Sequence, residues 1–218
     1  YPYTGSQEFY NDFCNFKVNV TVPKNYIIAA TGNFLNAAEV LNANIAQRIS
    51  FAEKNDGITK IIDTTDLQSA GITAQNETNT WKFEAKDVTD FVFATSNHYI
   101  WYASSLAVDK QTNRRTRVDA VFNPEHKDYF SVINYARKTV EALSYVFTAY
   151  PYPYANETIF DGLVQMEYPM MLNDNPVDEK ADSIELNDYE IFHTMFPLSL
   201  GINEQKYGLM FTWWAAFR

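Results

Sequence analysis

Cysteine is almost missing: the 218 residues contain one, Cys14, so no disulfide can close within the chain. Histidine is scarce too, and a site built on imidazoles can draw only on His98, His126 and His193. Positive charge is in the minority, with 17 Lys and Arg against 27 Asp and Glu and a net charge of −10. Nucleic acid and anionic membranes are both held by clustered Lys and Arg, so this balance argues against either as a partner. The one basic cluster, Asn113-Arg114-Arg115-Thr116-Arg117, is short and lies between strand-like runs, where it reads as a solvated turn and strand start. No apolar run approaches the roughly 18 residues of a membrane-spanning helix. No signal peptide is visible, since the chain opens on Tyr1-Pro2-Tyr3 without a Met. It closes on the apolar Trp213-Trp214-Ala215-Ala216-Phe217-Arg218 with no helix-stop residue, so both ends read as cut.

What is present is apolar and aromatic. Hydrophobic residues make up 46% of the chain, including 16 Phe, 15 Tyr and 4 Trp, enough to bury a core in one or two domains. Phe16, Val18, Val20 and Val22 alternate with polar residues until Pro23-Lys24-Asn25, which predicts a half-buried strand. Further strands are predicted at 26–31, 59–62, 80–85, 90–94, 99–107 and 117–122, with a helix or looped helix within 36–54. The pattern changes at Asn123-Pro124. From Glu125 to Tyr150, Phe130, Ile133, Val140, Leu143 and Phe147 fall at helical spacing, with Pro at the start. Tyr150-Pro151-Tyr152-Pro153-Tyr154 ends that helix, because Pro neither continues a helix nor lets the preceding residue do so. Strands at 158–160 and 164–171 follow, then helices at 188–200 and 204–218. The expected class is α+β, divided into a β-rich part over 1–122 and an α/β part over 123–218.

Three stretches carry a family resemblance. Val88-Thr89-Asp90-Phe91-Val92-Phe93-Ala94 looks like the strand that closes the β-rich amino-terminal domain of aminopeptidase-N relatives. Gln165-Met166-Glu167-Tyr168-Pro169 resembles that family's Gly-x-Met-Glu-Asn signature, and Tyr189-Glu190-Ile191-Phe192-His193 sits where the family has His-Glu-x-x-His. Thr194 to Pro197 and Gly201 to Tyr207 are family-like as well. The resemblance implies that residues 123–218 are the first part of a thermolysin-like catalytic domain. In the parent motif two His at i and i+4 share one helix face, and a Glu from the next helix completes a three-ligand zinc site. The Glu inside the motif takes a proton from the zinc-bound water. By resemblance Glu190 is that would-be base and His193 a metal ligand. Glu167, Met166 and Tyr168 would bind substrate, with Glu167 taking its free α-amino group.

The departures from the pattern cluster at the metal. Tyr189 replaces the first His, and Thr212 stands at the position of the Glu ligand, flanked by Phe211 and Trp213. A neutral phenol, with a pKa of about 10, and a neutral hydroxyl are poor zinc ligands at pH 7. Without metal, Glu190 would face a water of pKa about 15.7, a feeble nucleophile. Val164 and Gln165 stand where the family prefers small residues. Taken alone, Tyr-Glu-x-x-His is no motif. Glu167 by itself reads as an ordinary carboxylate, and His98 and His126 read as structural or solvated.

The expectation is therefore a noncatalytic aminopeptidase-N-like homologue with a peptide-binding or interaction role, no cofactor and a peptide or protein partner. Two alternatives stay open. One is an active zinc aminopeptidase that removes amino-terminal residues from peptides; the other is a structural subunit whose cleft is filled. They differ in zinc content and in whether Glu167 lines an open cleft. The resemblance also implies export, to the periplasm or cell surface.

Overall fold

The computed structural model describes residues 12–69 and 71–201. Its α+β architecture is organised around one six-stranded sheet that is covered on both faces. The amino-terminal strands behave as their alternation predicts. β1 (Cys14–Pro23) pairs antiparallel with β5 (Thr78–Val88), from Cys14 opposite Val88 to Pro23 opposite Thr78. Along β5 every second residue from Asn79 to Ala85 is buried, so Trp81, Phe83 and Ala85 face inward. β2 (Ile27–Ala30) pairs with β6 (Phe93–Ser96), and β3 (Asn33–Phe34) pairs along the other edge of β5. β6 starts later than the predicted 90–94 strand, because the Asp90 carboxylate accepts from the Phe91 amide and turns the chain there.

The helical stretch within 36–54 is broken into α1 (Ala37–Val40) and α2 (Ala43–Ala52), the second capped by the Asn42 side chain on the Asn44 amide. α3 (Thr64–Gln68) is an element the sequence reading did not predict. It is nucleated by a reciprocal capping box between Asp63 and Asp66.

The large sheet runs β10-β11-β9-β8-β7-β4, made of β4 (Thr59–Ile62), β7 (Ile100–Asp109), β8 (Arg114–Phe122), β9 (Asn156–Asp161), β10 (Met166–Tyr168) and β11 (Met171–Asp174). β8, β9 and β11 are mutually parallel, so β8 and β9 need a long crossover. That crossover is α4 (Tyr129–Ala142), extended by a π-helical turn at Leu143–Phe147. The sheet therefore continues across residue 123, and the division expected there falls between strands that pair with each other. α4 begins four residues after the predicted Glu125 because the chain first turns, with the His126 amide on the Asn123 carbonyl.

Successive residues of β8 serve opposite faces. Val118, Ala120 and Phe122 join Val132, Ile133 and Val140 of α4 on one side, while Val121 joins Ile61, Trp81 and Trp101 on the other. A sheet covered on both sides reads as nearly continuous apolar sequence, as in β7.

α5 (Lys180–Leu200) starts eight residues before the predicted Asp188. Ser183 and Asn187 are buried on it, with the Asn187 amide donating to the Ser183 carbonyl at 2.8 Å. Buried polar residues hide the helical period from an apolar pattern. The helix ends at Gly201, whose φ of 64° puts it in the left-handed region. A Cβ there would lie 2.5 Å from the Phe13 ring. The predicted helix 204–218, Thr212 included, lies outside the described residues.

Candidate functional site

Two elements bring the predicted site residues together: the short edge strand β10 and the carboxyl-terminal half of α5. β10 is fixed from behind. The Thr31 hydroxyl donates to the Pro169 carbonyl at 2.9 Å, and the Thr158 amide donates to the Met170 carbonyl at 3.0 Å. Those bonds hold the Pro169–Met170 turn, and with it the register of Glu167 opposite Leu172. Glu167 is buried there, while Met166 and Tyr168 are half-buried and pack on Leu198 of α5.

Glu167 points at the helix. Its Oε1 lies 3.4 Å from His193 Nδ1, and the two side chains are only 7% and 2% exposed. The carboxylate thus lies within ion-pair range on the Nδ1 side of the ring. Tyr189 sits one turn earlier on the same face, its ring centroid 4.5 Å from that of His193. Burial foremost, then the negative charges of Asp90 and Glu167, push the Tyr168 phenol up, so it is neutral at pH 7.

Glu190 is buried as well and belongs to a second acidic region. Burial first, and then the charges of Glu190, Asp128 and Asp161, push the Asp174 carboxyl up to about 7. Asp174 and Asp161 are in-register neighbours at the ends of β11 and β9. Asp161 holds His126 Nδ1 at 2.6 Å and the Asn123 amide at 2.9 Å, so His126 is tied to a strand end rather than to the Glu167–His193 pair. His98 stays local, with the Asn97 side-chain Oδ1 2.9 Å from its Nδ1.

The structure thus joins Met166, Glu167, Tyr168, Tyr189 and His193, and places Glu190 close enough to Asp174 to raise its pKa. Beneath them lies a polar cluster that sequence reasoning missed. Glu157 of β9 is fully buried; its Oε2 accepts from the Tyr152 hydroxyl, and Thr194 Oγ1 lies 2.7 Å from Tyr152 Oη. Burial outweighs these bonds and pushes the Glu157 carboxyl up to about 8. The only signal was a Glu just before the predicted 158–160 strand, on the far side of a Tyr-Pro run.

The donor set of the described residues does not fit a zinc site. Among the described residues no group of three or more His, Cys, Asp or Glu stands together so that it could hold a metal ion. His193 has the Tyr189 phenol beside it where a second imidazole would be needed. Val164 does not crowd the pair: it is 58% exposed and, with Leu163, stands out into solvent. No helix of the described residues is long and apolar enough to cross a membrane.

No protein-family model matches the chain, and no curated protein is significantly similar to it. Among solved structures, it is similar to an M1 zinc metallopeptidase from Deinococcus radiodurans, with 14% identity and a TM-score of 0.53. The match covers 84% of this chain and 34% of that protein, so the chain spans about a third of its length. At that identity the likeness is one of fold, and the α+β architecture described above resembles part of that metallopeptidase.

Proposed function

We propose that the chain is a noncatalytic relative of the aminopeptidase-N family that acts by binding a protein or peptide partner. One observation supports this most: the buried contact between Glu167 and His193, 3.4 Å apart. In the family pattern the Glu of the Met-Glu stretch receives the substrate's ammonium and the His carries metal. Here the two face each other, and the imidazole stands where a positively charged amine would be received. Glu167 is 5% exposed, which also favours the reading in which this part of the cleft is filled. Binding then has to use another surface, or to proceed without recognition of a free amino terminus.

Two assays test the proposal. Leucine p-nitroanilide in zinc-supplemented buffer is expected to be cleaved no faster by the chain than by its His193→Ala variant. A tripeptide and its N-acetylated form are expected to bind equally, within about twofold, since a buried carboxylate does not read the amine. Turnover that is lost in His193→Ala contradicts the noncatalytic reading. A preference for the free amine of about tenfold or more, lost in Glu167→Gln, contradicts the filled pocket.

A further inference from the structure

An apolar groove lies on the opposite side of α5 from β10, between its amino-terminal half and the end of α4. It encloses about 460 Å³, with Ala142, Leu143 and Phe147 on one wall and Ala181, Ile184 and Phe192 on the other. That volume is within the range of ligand-binding clefts and has room for a few apolar side chains. Phe147 meets Phe192 edge to face at 5.7 Å, yet it remains 49% exposed. Val146 and Tyr150, close to Phe147 in the chain, are 78% and 66% exposed. Large side chains this exposed and this close together mark a contact surface rather than scattered surface residues.

The polar groups around the groove are acidic. Glu185 and Asp188 line it, Asp182 stands beside Glu185 on the same helix, and Asp178 and Glu179 precede it. On the α4 side Arg137 is engaged by Glu141 at 3.6 Å, and Thr139 donates to Asp188. The same two helices also carry Lys138 and Lys180, and Lys110 lies over the Tyr145 ring of the π-turn.

We infer that this groove docks an amphipathic helix that presents apolar side chains inward and Lys or Arg outward. A valley between two helices offers no sheet edge for an extended strand to pair with, so the occupant is recognised through side chains at helical spacing. Charge selects among the possible occupants. A second copy of this chain, at net −10, and an anionic lipid surface are both repelled by the rim, whereas a basic segment is attracted and steered to it. The inference extends the interaction role proposed above but uses none of the Glu167–His193 geometry.

The probe is a fluorescein-labelled helical peptide of about fifteen residues, with Leu at i, i+3 and i+7 and Lys on the remaining faces. Its counterpart replaces each Lys by Glu. With the whole 218-residue chain, the Lys peptide is expected to bind at micromolar concentration, at least about tenfold more tightly than the Glu peptide, and more weakly as salt rises. Two variants locate the contact. Ala181→Trp fills the groove from an exposed helix position, and Asp182→Lys with Glu185→Lys reverses the rim. Each is expected to weaken the Lys peptide about tenfold or more while circular dichroism and Tm stay near those of the parent. Should Ala181→Trp fail to fold, the rim variant decides alone. No binding, equal binding of the two peptides, or binding indifferent to both variants overturns the inference. Because all these substitutions leave Glu167 and His193 in place, a failure here is separate from a failure of the amine and hydrolysis assays.

Discussion

Glu157→Gln should leave the chain about as stable as the parent at pH 5 and make it more stable at pH 8. The parent carboxyl is fully buried, and its pKa rises from an ordinary value of 4.5 to about 8 on folding. A carboxyl raised in this way favours the folded state only while protonated. Its contribution is complete below pH 4.5 and is lost as pH climbs through 8, because the native state then binds more protons than the unfolded chain. At about 1.4 kcal/mol per pH unit, the loss between pH 5 and pH 8 is on the order of 3 kcal/mol, or roughly 6–12 °C in Tm for a chain of this size. The amide has no charge to desolvate, and its carbonyl oxygen can still accept from Tyr152. Glu157 Oε1 makes no hydrogen bond, so the NH₂ group that replaces it breaks none. Thermal melts of both proteins across pH 5–8 check this: the Tm difference should open steadily with pH. Parallel curves would mean that Glu157 is not the neutral acid described here. The effect bears on the site because the same cluster anchors Thr194, the residue next to His193, to β9.

Restoring the missing ligands should raise the zinc affinity of the chain. Tyr189 and His193 already share one helix face at i and i+4, with their rings 4.5 Å apart. Tyr189→His therefore sets two imidazoles side by side, and Glu167 already holds the Nδ1 side of one of them. Two imidazoles alone bind zinc weakly; a third ligand closes the site. Thr212→Glu supplies it at the position the family resemblance implies. Zinc affinity, read by competition with a chromogenic chelator, is expected to rise modestly in Tyr189→His and by roughly a hundredfold more in the double variant. Equal affinity in the double variant and the parent would show that the departures at Tyr189 and Thr212 are not what keeps zinc out.

How much of this was readable beforehand depends on how local the cause is. The alternation of β1 and β5 is written in their side chains, and so is the helical spacing of α4. α3 was legible too, in Asp63 and Asp66 three residues apart, but no apolar period drew attention to it. The first two turns of α5 carry no apolar period, because Ser183 and Asn187 are buried through hydrogen bonding rather than apolarity. The change of pattern at Asn123-Pro124 is real, yet it marks a crossover helix. Which strands share a sheet is settled by β8 pairing with β9, a contact no local window contains.

The site shows the same division. Met-Glu-Tyr and Tyr-Glu-x-x-His could be picked out by resemblance, and the structure brings Glu167 and His193 together. What remained hidden was everything that depends on environment. Glu157 looks like any surface carboxylate in the sequence, and Asp161 and Asp174 become neighbours only through strand register. The acidic groove was hidden for the same reason, since its two walls lie some forty residues apart along the chain.

The most direct test of the noncatalytic reading is zinc stoichiometry by elemental analysis, after exposure to excess zinc and removal of free metal. The parent is expected to retain far less than one zinc per chain, no more than His193→Ala, while the Tyr189→His, Thr212→Glu variant serves as the positive control. Close to one zinc per parent chain, lost on replacing His193, would contradict that reading and make the chain a candidate metallopeptidase.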